Sequence, residues 1–339
     1  EKDKCGNFLA AKASPLKYTE DILVFQKNGY YTAWNNNGNP KGIYNPQMRK
    51  GTGKARKTNS ERFGLSSTQI SNRPKYNPLI ANPETDAPLL SPQVLREWVF
   101  PILKKKRAVF FILIDNLRLD QWEEIEPLLS AYFHVEEKST YYSILPTTTA
   151  FARNALFSGM MPSEMASRYP HLWEDEDSEE GKNKSEEQWL KINLEKNRIP
   201  VKYSYHKILQ MQEGKAVLDQ FHSLLQNEFN VLVYNFVDMI SHARTDMKMI
   251  RELAPDESAY RSLTRSWFEH SSLFELMKKI QQAGGEVILT TDHGTKRVNR
   301  PYKIIGDKHV TTNLRYKQGK NITYNPKEVF ERKYRAIEE

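Results

Sequence analysis

Three short apolar runs in this chain each lead into an aspartate. "AVFFILI" (108–114) meets Asp115, "VLVYNFV" (231–237) meets Asp238, and "EVILTT" (286–291) meets Asp292. Continuous apolar runs of this length suit strands buried on both faces, as in a parallel sheet. Between them lie stretches with helical spacing. "TTTAFARNALFSG" reads as a helix stopped at Gly159, and "AVLDQFHSLLQN" (216–227) is amphipathic. "YRSLTRSWFEHSSLFELMKKIQQAGG" (260–285) reads as one long helix closed by a Gly pair. "TYYSIL" (140–145) and "PVKYSYH" (200–206) are two further strand candidates. Strands alternating with helices predict an α/β fold with a mainly parallel sheet, covered by helices on both faces.

In open sheets of this kind, ligands sit beyond the carboxyl ends of the strands. If the three strands are parallel neighbours, Asp115, Asp238 and Asp292 converge there, with His242 and His293 close behind. Three carboxylates that close repel one another unless a cation lies between them. Carboxylate oxygens with imidazole nitrogens suit zinc or manganese better than calcium. One such Asp alone would be as readily a helix N-cap. The threonines of "LPTTTAFAR" stand between a strand and a helix, where unpaired N–H groups favour anions. A hydroxyl there can act as a nucleophile beside a metal, although Thr is also an ordinary N-cap.

The first 80 residues differ. They hold 14 Lys/Arg and 5 Asp/Glu, whereas the remainder is nearly balanced, so the whole net charge of +8 arises there. "WNNNGNPKG" and "KGTGKARKTNSERFG" show no periodicity, and only "EDILVFQK" (20–27) looks like a strand. Residues 1–85 are therefore expected to be a basic, poorly structured segment, and 86–339 the folded domain, with the Pro-rich 77–92 as linker. Such a basic stretch could take a nucleic acid through its backbone, with "GYYTAW" (29–34) for stacking. A solvated tail is the commoner meaning of such a charge run. The acidic run "EDEDSEEGKNKSEE" (174–187) reads as a solvated insertion. No stretch reaches 18 apolar residues, no leader is evident, and Cys5 is the only cysteine. A cytoplasmic protein without an internal disulfide is expected. The chain opens on Glu1 and ends on Glu339, which suggests a fragment at both ends.

"FFILIDNLRLDQW", "YYSILPTTTAFARNALFSGMMP", "VLVYNFVDMISHARTDMKMIRELAPDESAYRSLTRSWFEHS", "ILTTDHGTKRV" and "TTNLRYKQGKN" cover about 88–332. Together they resemble the alkaline phosphatase superfamily, in particular its PglZ-type domain as found in PorX-like response regulator proteins. The resemblance implies a metal-dependent phosphohydrolase with two zinc ions and a Thr nucleophile. Carried over by position, Asp115, Thr149, Asp292 and His293 would hold one metal, and Asp238 with His242 the second. Thr149 is chosen because it stands three residues after Pro146, though Thr147 and Thr148 remain open. The family adds a third ligand to the second metal from a His-Gly-Gly motif that this chain lacks. The second site is therefore expected to be incomplete, with His309 a conceivable substitute. A catalytically weak, protein-binding version of the fold is the alternative. The implied partners are a phosphoester such as a nucleotide or phosphorylated signal, a signalling protein linked to secretion, and a second copy of the chain. A membrane is not expected, and nucleic acid is the least favoured partner. Sulfatases share the superfamily but need a Cys or Ser in a motif not found here. Residues 1–57 resemble a segment of amino-DNA methyltransferases. That family's Asp-Pro-Pro-Tyr motif and Gly-rich cofactor loop are missing, so methylation is not expected.

Overall fold

A computed structural model describes residues 19–26 (backbone only), 89–103, 107–173, 184–295, 302–306, 317, 322–325 and 329. Six strands form one sheet: β1 (Thr19–Gln26), β2 (Val109–Ile114), β3 (His134–Tyr142), β4 (Tyr203–Ile208), β5 (Phe229–Tyr234) and β6 (Glu286–Thr290). The helices, in chain order, begin with α1 (Phe100–Leu103), α2 (Leu119–Leu129), α3 (Asn154–Ser158), α4 (Pro162–Arg168) and α5 (Glu186–Lys196). They continue with α6 (Met211–Asp219), α7 (Phe221–Leu224), α8 (Phe236–Asp246), α9 (Lys248–Leu253), α10 (Glu257–Glu269) and α11 (Ser272–Ala283). No helix among the described residues is long and apolar enough to cross a membrane.

The strand order is β3-β1-β6-β2-β5-β4. The four strands β6, β2, β5 and β4 are mutually parallel. β1 runs antiparallel to both of its neighbours, β3 and β6. The sheet is thus mainly parallel, as expected, and the three Asp-bearing runs are adjacent strands. β1 coincides with the one strand expected within the basic segment. The rest of residues 1–88 lies outside the described residues, as do "GYYTAW", the resemblance to methyltransferases beyond β1, and His309.

Period-2 alternation splits the buried strand residues between two cores. Phe110, Ile112 and Ile114 pack with residues of α2, α6, α7, α10 and α11. Val109, Phe111 and Leu113 pack with α1, α3, α4 and α5. Because β2 is covered on both sides, all six of its residues are buried. This is why the run reads as continuously apolar. Truncating Phe111 to Ala would cost about 3–5 kcal/mol.

Register then fixes the site. Ile114 lies opposite Tyr234, and Leu113 opposite Thr290. The three strands therefore stop at nearly the same level, and the Asp115 N–H donates to the Tyr234 carbonyl at 2.8 Å.

Several expected elements differ: the strand expected at 140–145 is the end of β3, which stops at Tyr142, and the stretch 216–227 is divided between α6 and α7. β5 ends at Tyr234, so Phe236, Val237 and Asp238 are already the first turn of α8. Asp238 is a helix residue, and it puts His242 one turn further along the same helix. The expected long helix 260–285 is two helices. α10 ends at Glu269, and Ser271 caps α11 by accepting from the Phe274 N–H at 3.2 Å. A Ser side chain can compete for backbone partners and start a new helix in this way.

Candidate metal centre

Asp115 follows β2 directly and is 1% exposed. Asn116 comes next at φ +62°, the left-handed region that Asn tolerates better than most side chains. That turn points the chain back across the sheet edge. Leu117 N–H donates to Thr291 Oγ1 at 3.0 Å, and Asn116 N–H donates to Asp292 Oδ1 at 3.4 Å. The segment after β6 is clamped from its other side by β3 and the residue that follows it. Tyr141 O–H donates to the Thr291 carbonyl, and Ser143 Oγ donates to the Asp292 carbonyl at 2.8 Å. Asp292 and His293 are thereby fixed while buried.

Thr149 opens a wide π-type helical turn, Thr149–Arg153, that runs on into α3. Such turns recur at functional sites. Thr148 holds the N-cap position in an extended conformation, but its side chain makes no capping hydrogen bond. The simple capping role that a Thr could play here is not what Thr148 does. Thr149 Oγ1 lies 3.0 Å from His293 Nε2.

Asp115, Asp292 and His293 each offer a ligand atom, and these atoms lie within 4.8 Å of one another. His293 Nε2 is 3.5 Å from Asp115 Oδ1 and 3.8 Å from Asp292 Oδ2. Asp115 Oδ1 is buried and accepts no hydrogen bond. A buried anionic oxygen without a donor, beside a second carboxylate and an imidazole, fits a divalent transition metal. The structure therefore brings together four of the six expected site residues: Asp115, Thr149, Asp292 and His293.

The other two form a pair beside them. His242 Nε2 is 3.3 Å from Asp238 Oδ2, with the His side chain 54% exposed and the Asp 16%. Asn116 links the pair to the buried cluster by donating from Nδ2 to Asp238 Oδ1 at 2.9 Å. Among the described residues, Asp238 and His242 are not joined by a third potential ligand into a metal-binding group.

One residue at the centre went unread in the sequence. Arg153 is fully buried, and its guanidinium pairs with Asp115, with Asp292 through Nε at 2.9 Å, and with Glu186 through Nη1 at 3.3 Å. The sequence argument that close carboxylates need a cation holds, but the chain supplies one cation itself. Its signal was spacing: Arg153 is four residues after Thr149, one helical turn along in "TAFAR". Glu186 is the second omission. It falls in the acidic run expected to be solvated, yet it is 1% exposed and meets Arg153, Lys207 Nζ at 3.3 Å and the Tyr205 hydroxyl.

Charge and burial act oppositely on the two aspartates. Burial pushes the Asp115 carboxyl well above its ordinary range, and the charges of Asp292 and Asp238 add to this against the pull of Arg153. Burial also pushes Asp292 up, but Arg153, His293 and the Asn116 N–H outweigh it and hold that carboxyl low.

A mainly parallel sheet, flanked by helices and carrying an Asp/Asp/His cluster with a neighbouring Thr beyond its carboxyl edge, defines an alkaline phosphatase-like α/β domain. Residues 94–337 match the family described as the BREX system PglZ alkaline phosphatase-like domain. The chain belongs to that family. Comparison with curated proteins gives no match.

Proposed function

We propose that this chain is a metal-dependent phosphoester hydrolase with Thr149 as its nucleophile. The observation that carries this reading is the Thr149 hydroxyl 3.0 Å from His293 Nε2, at the edge of the Asp115, Asp292 and His293 cluster. Membership of an alkaline phosphatase-like family supports it.

Asp115, Asp292 and His293, with Thr149 itself, would hold a divalent ion, and zinc suits the donor set. When bound, such an ion supplies Lewis-acid polarisation of a phosphoryl oxygen and a lowered pKa for a hydroxyl beside it. Thr149 gives up its hydroxyl proton to solvent, and Oγ1 attacks phosphorus. The bond from phosphorus to the leaving alcohol's oxygen breaks, and that oxygen takes a proton from water. A water oxygen then attacks the phospho-threonine, the bond from phosphorus to Oγ1 breaks, Oγ1 takes up a proton of that water to restore Thr149, and phosphate, or a phosphomonoester from a diester, leaves. Asp238 and His242 would contribute to a second ion on the outer side of the site. A phosphodiester or small phosphorylated signal, within a signalling system, is the substrate class that the sequence resemblance favours.

The test is zinc content per chain after loading and desalting, with release of p-nitrophenol from mono- and diester substrates measured on the same sample. Bound zinc with chelator-sensitive hydrolysis supports the proposal. Zinc without hydrolysis would instead favour a binding module with this fold. The pair of exposed His242 and partly buried Asp238, with no third ligand among the described residues, is the observation that keeps that second reading in view.

A further inference from the structure

The buried guanidinium of Arg153 meets five side chains in the interior. Nε donates to Asp292 Oδ2 at 2.9 Å. Nη1 faces Glu186 Oε1 at 3.3 Å and Asn235 Oδ1 at 3.5 Å. Nη2 pairs with Asp115 Oδ2 and reaches Thr149 Oγ1 at 3.4 Å. An arginine has five N–H donors in a fixed planar fork, and here the guanidinium makes four hydrogen bonds, to Asp292, Glu186, Asn235 and Thr149, and an ion pair with Asp115. Those partners come from five separate places in the chain: the end of β2, the start of the π-type turn, the start of α5, the cap of α8 and the segment after β6.

Three carboxylates gathered in the interior would repel, and none could ionise cheaply alone. A single buried cation at their centre changes this without any metal. Arg suits the task because it stays charged when buried and cannot be deprotonated at ordinary pH. A lysine would offer a point charge and three donors, too few for five partners.

We propose that Arg153 is the built-in cation of this cluster: it holds Asp115, Asp292 and Thr149 in place in the metal-free chain, so the site is assembled before a metal arrives. Arg153 is thus a positioning residue. Its interest for catalysis rests on the hydrolase reading above, but its effect on the metal-free protein does not.

The experiment is thermal melting of the full chain in chelator, comparing wild type with Arg153→Lys, Arg153→Met and the double variant Arg153→Met with Asp292→Asn. Removing one partner from a buried ion pair leaves the others uncompensated. Arg153→Met should therefore lower the melting temperature by roughly 10 °C, and Arg153→Lys by less. Neutralising Asp292, the carboxyl that Arg153 and His293 hold low, in the Arg153→Met background removes the charge that is left stranded, so the double variant should regain a substantial part of the loss. If Arg153→Met is insoluble while the double variant folds, that is the same result in stronger form. The proposal is overturned if Arg153→Met melts like wild type. It is equally overturned if the double variant melts no higher than Arg153→Met, or is as insoluble, because Arg153 would then matter only as packing volume. Zinc is added in a separate series. If it shifts the melting of no variant, the metal-dependent hydrolase reading fails, and the chelator series still decides the role of Arg153.

Discussion

Asn116 donates from its side-chain amide to Asp238 Oδ1 at 2.9 Å, and so ties the turn after β2 to the first turn of α8. The same residue sits at φ +62° and gives its backbone N–H to Asp292. It therefore touches both halves of the candidate site. Asn116→Ala should destabilise the chain by about 1–2 kcal/mol, from the left-handed backbone and the lost hydrogen bond. Asn116→Gly relieves the backbone but still loses the amide. Chemical denaturation should place Asn116→Gly nearer wild type than Asn116→Ala, with hydrolysis reduced in both. Equal stability for the two would contradict a strained turn.

An ion-pair network lies behind the site and gives the chain an acid limit. Arg118 pairs with Asp120 and Glu257, Arg244 Nη1 reaches Glu257 Oε1 at 2.9 Å, and Arg261 Nη1 reaches Asp120 Oδ2 at 3.3 Å. Burial raises the carboxyls of Asp120 and Glu257, but the arginines outweigh it and hold both below their ordinary values. A carboxyl depressed in the folded state contributes stability that is full above its unfolded pKa, near 4. That contribution is lost as pH falls through the lower folded value. Melting temperature measured across acidic pH should therefore fall less steeply below pH ~4 in Glu257→Gln than in wild type. Parallel curves would show that Glu257 carries no such linkage.

Glu186 and Glu187 are neighbours in one acidic stretch but should behave differently. Glu186 is buried against Arg153, Lys207 and Tyr205, whereas Glu187 is exposed. Glu186→Ala should cost about 1–3 kcal/mol, because the Tyr205 hydroxyl and Lys207 lose their acceptor while Arg153 keeps Asp115 and Asp292. Glu187→Ala should stay within about 0.5 kcal/mol of wild type. Urea denaturation of the two single variants separates them.

Gly159 and Gly284 both end helices with positive φ, at +62° and +71°. A β-carbon on Gly159 would come within 2.7 Å of Asn193 Oδ1, while one on Gly284 would meet nothing within 4 Å. Gly284→Ala should thus cost only the backbone strain, about 1–2 kcal/mol. Gly159→Ala should cost clearly more, because Asn193 is itself held by its bond to the Phe157 carbonyl. Melting curves that rank them the other way would contradict this packing.

The parts of the site legible in the sequence are those that local pattern fixes. An apolar run buried on both faces announces β2 and β6, and the residue after each falls at the sheet's carboxyl edge. Asp115, Asp292 and His293 followed from that. The end of β5 was misjudged because Phe236 and Val237 continue the apolar run, although they already belong to α8. Hydrophobicity does not mark where a strand becomes a helix. Arg153 and Glu186 were hidden for a different reason. Charged residues are normally solvated, and only tertiary contact shows that these two neutralise each other in the interior. The antiparallel pairing of β1 with β3 and β6 is likewise a long-range matter that local pattern leaves open.

The central claim is that Thr149 carries out phosphoester hydrolysis at a metal held by Asp115, Asp292 and His293. The most direct measurement is the steady-state rate of metal-loaded wild type, Thr149→Ser and Thr149→Ala on p-nitrophenyl mono- and diesters. The account predicts that Thr149→Ala lowers kcat at least about a hundredfold, as expected for loss of a nucleophile, while Thr149→Ser retains part of the activity. An unchanged rate in Thr149→Ala would contradict it.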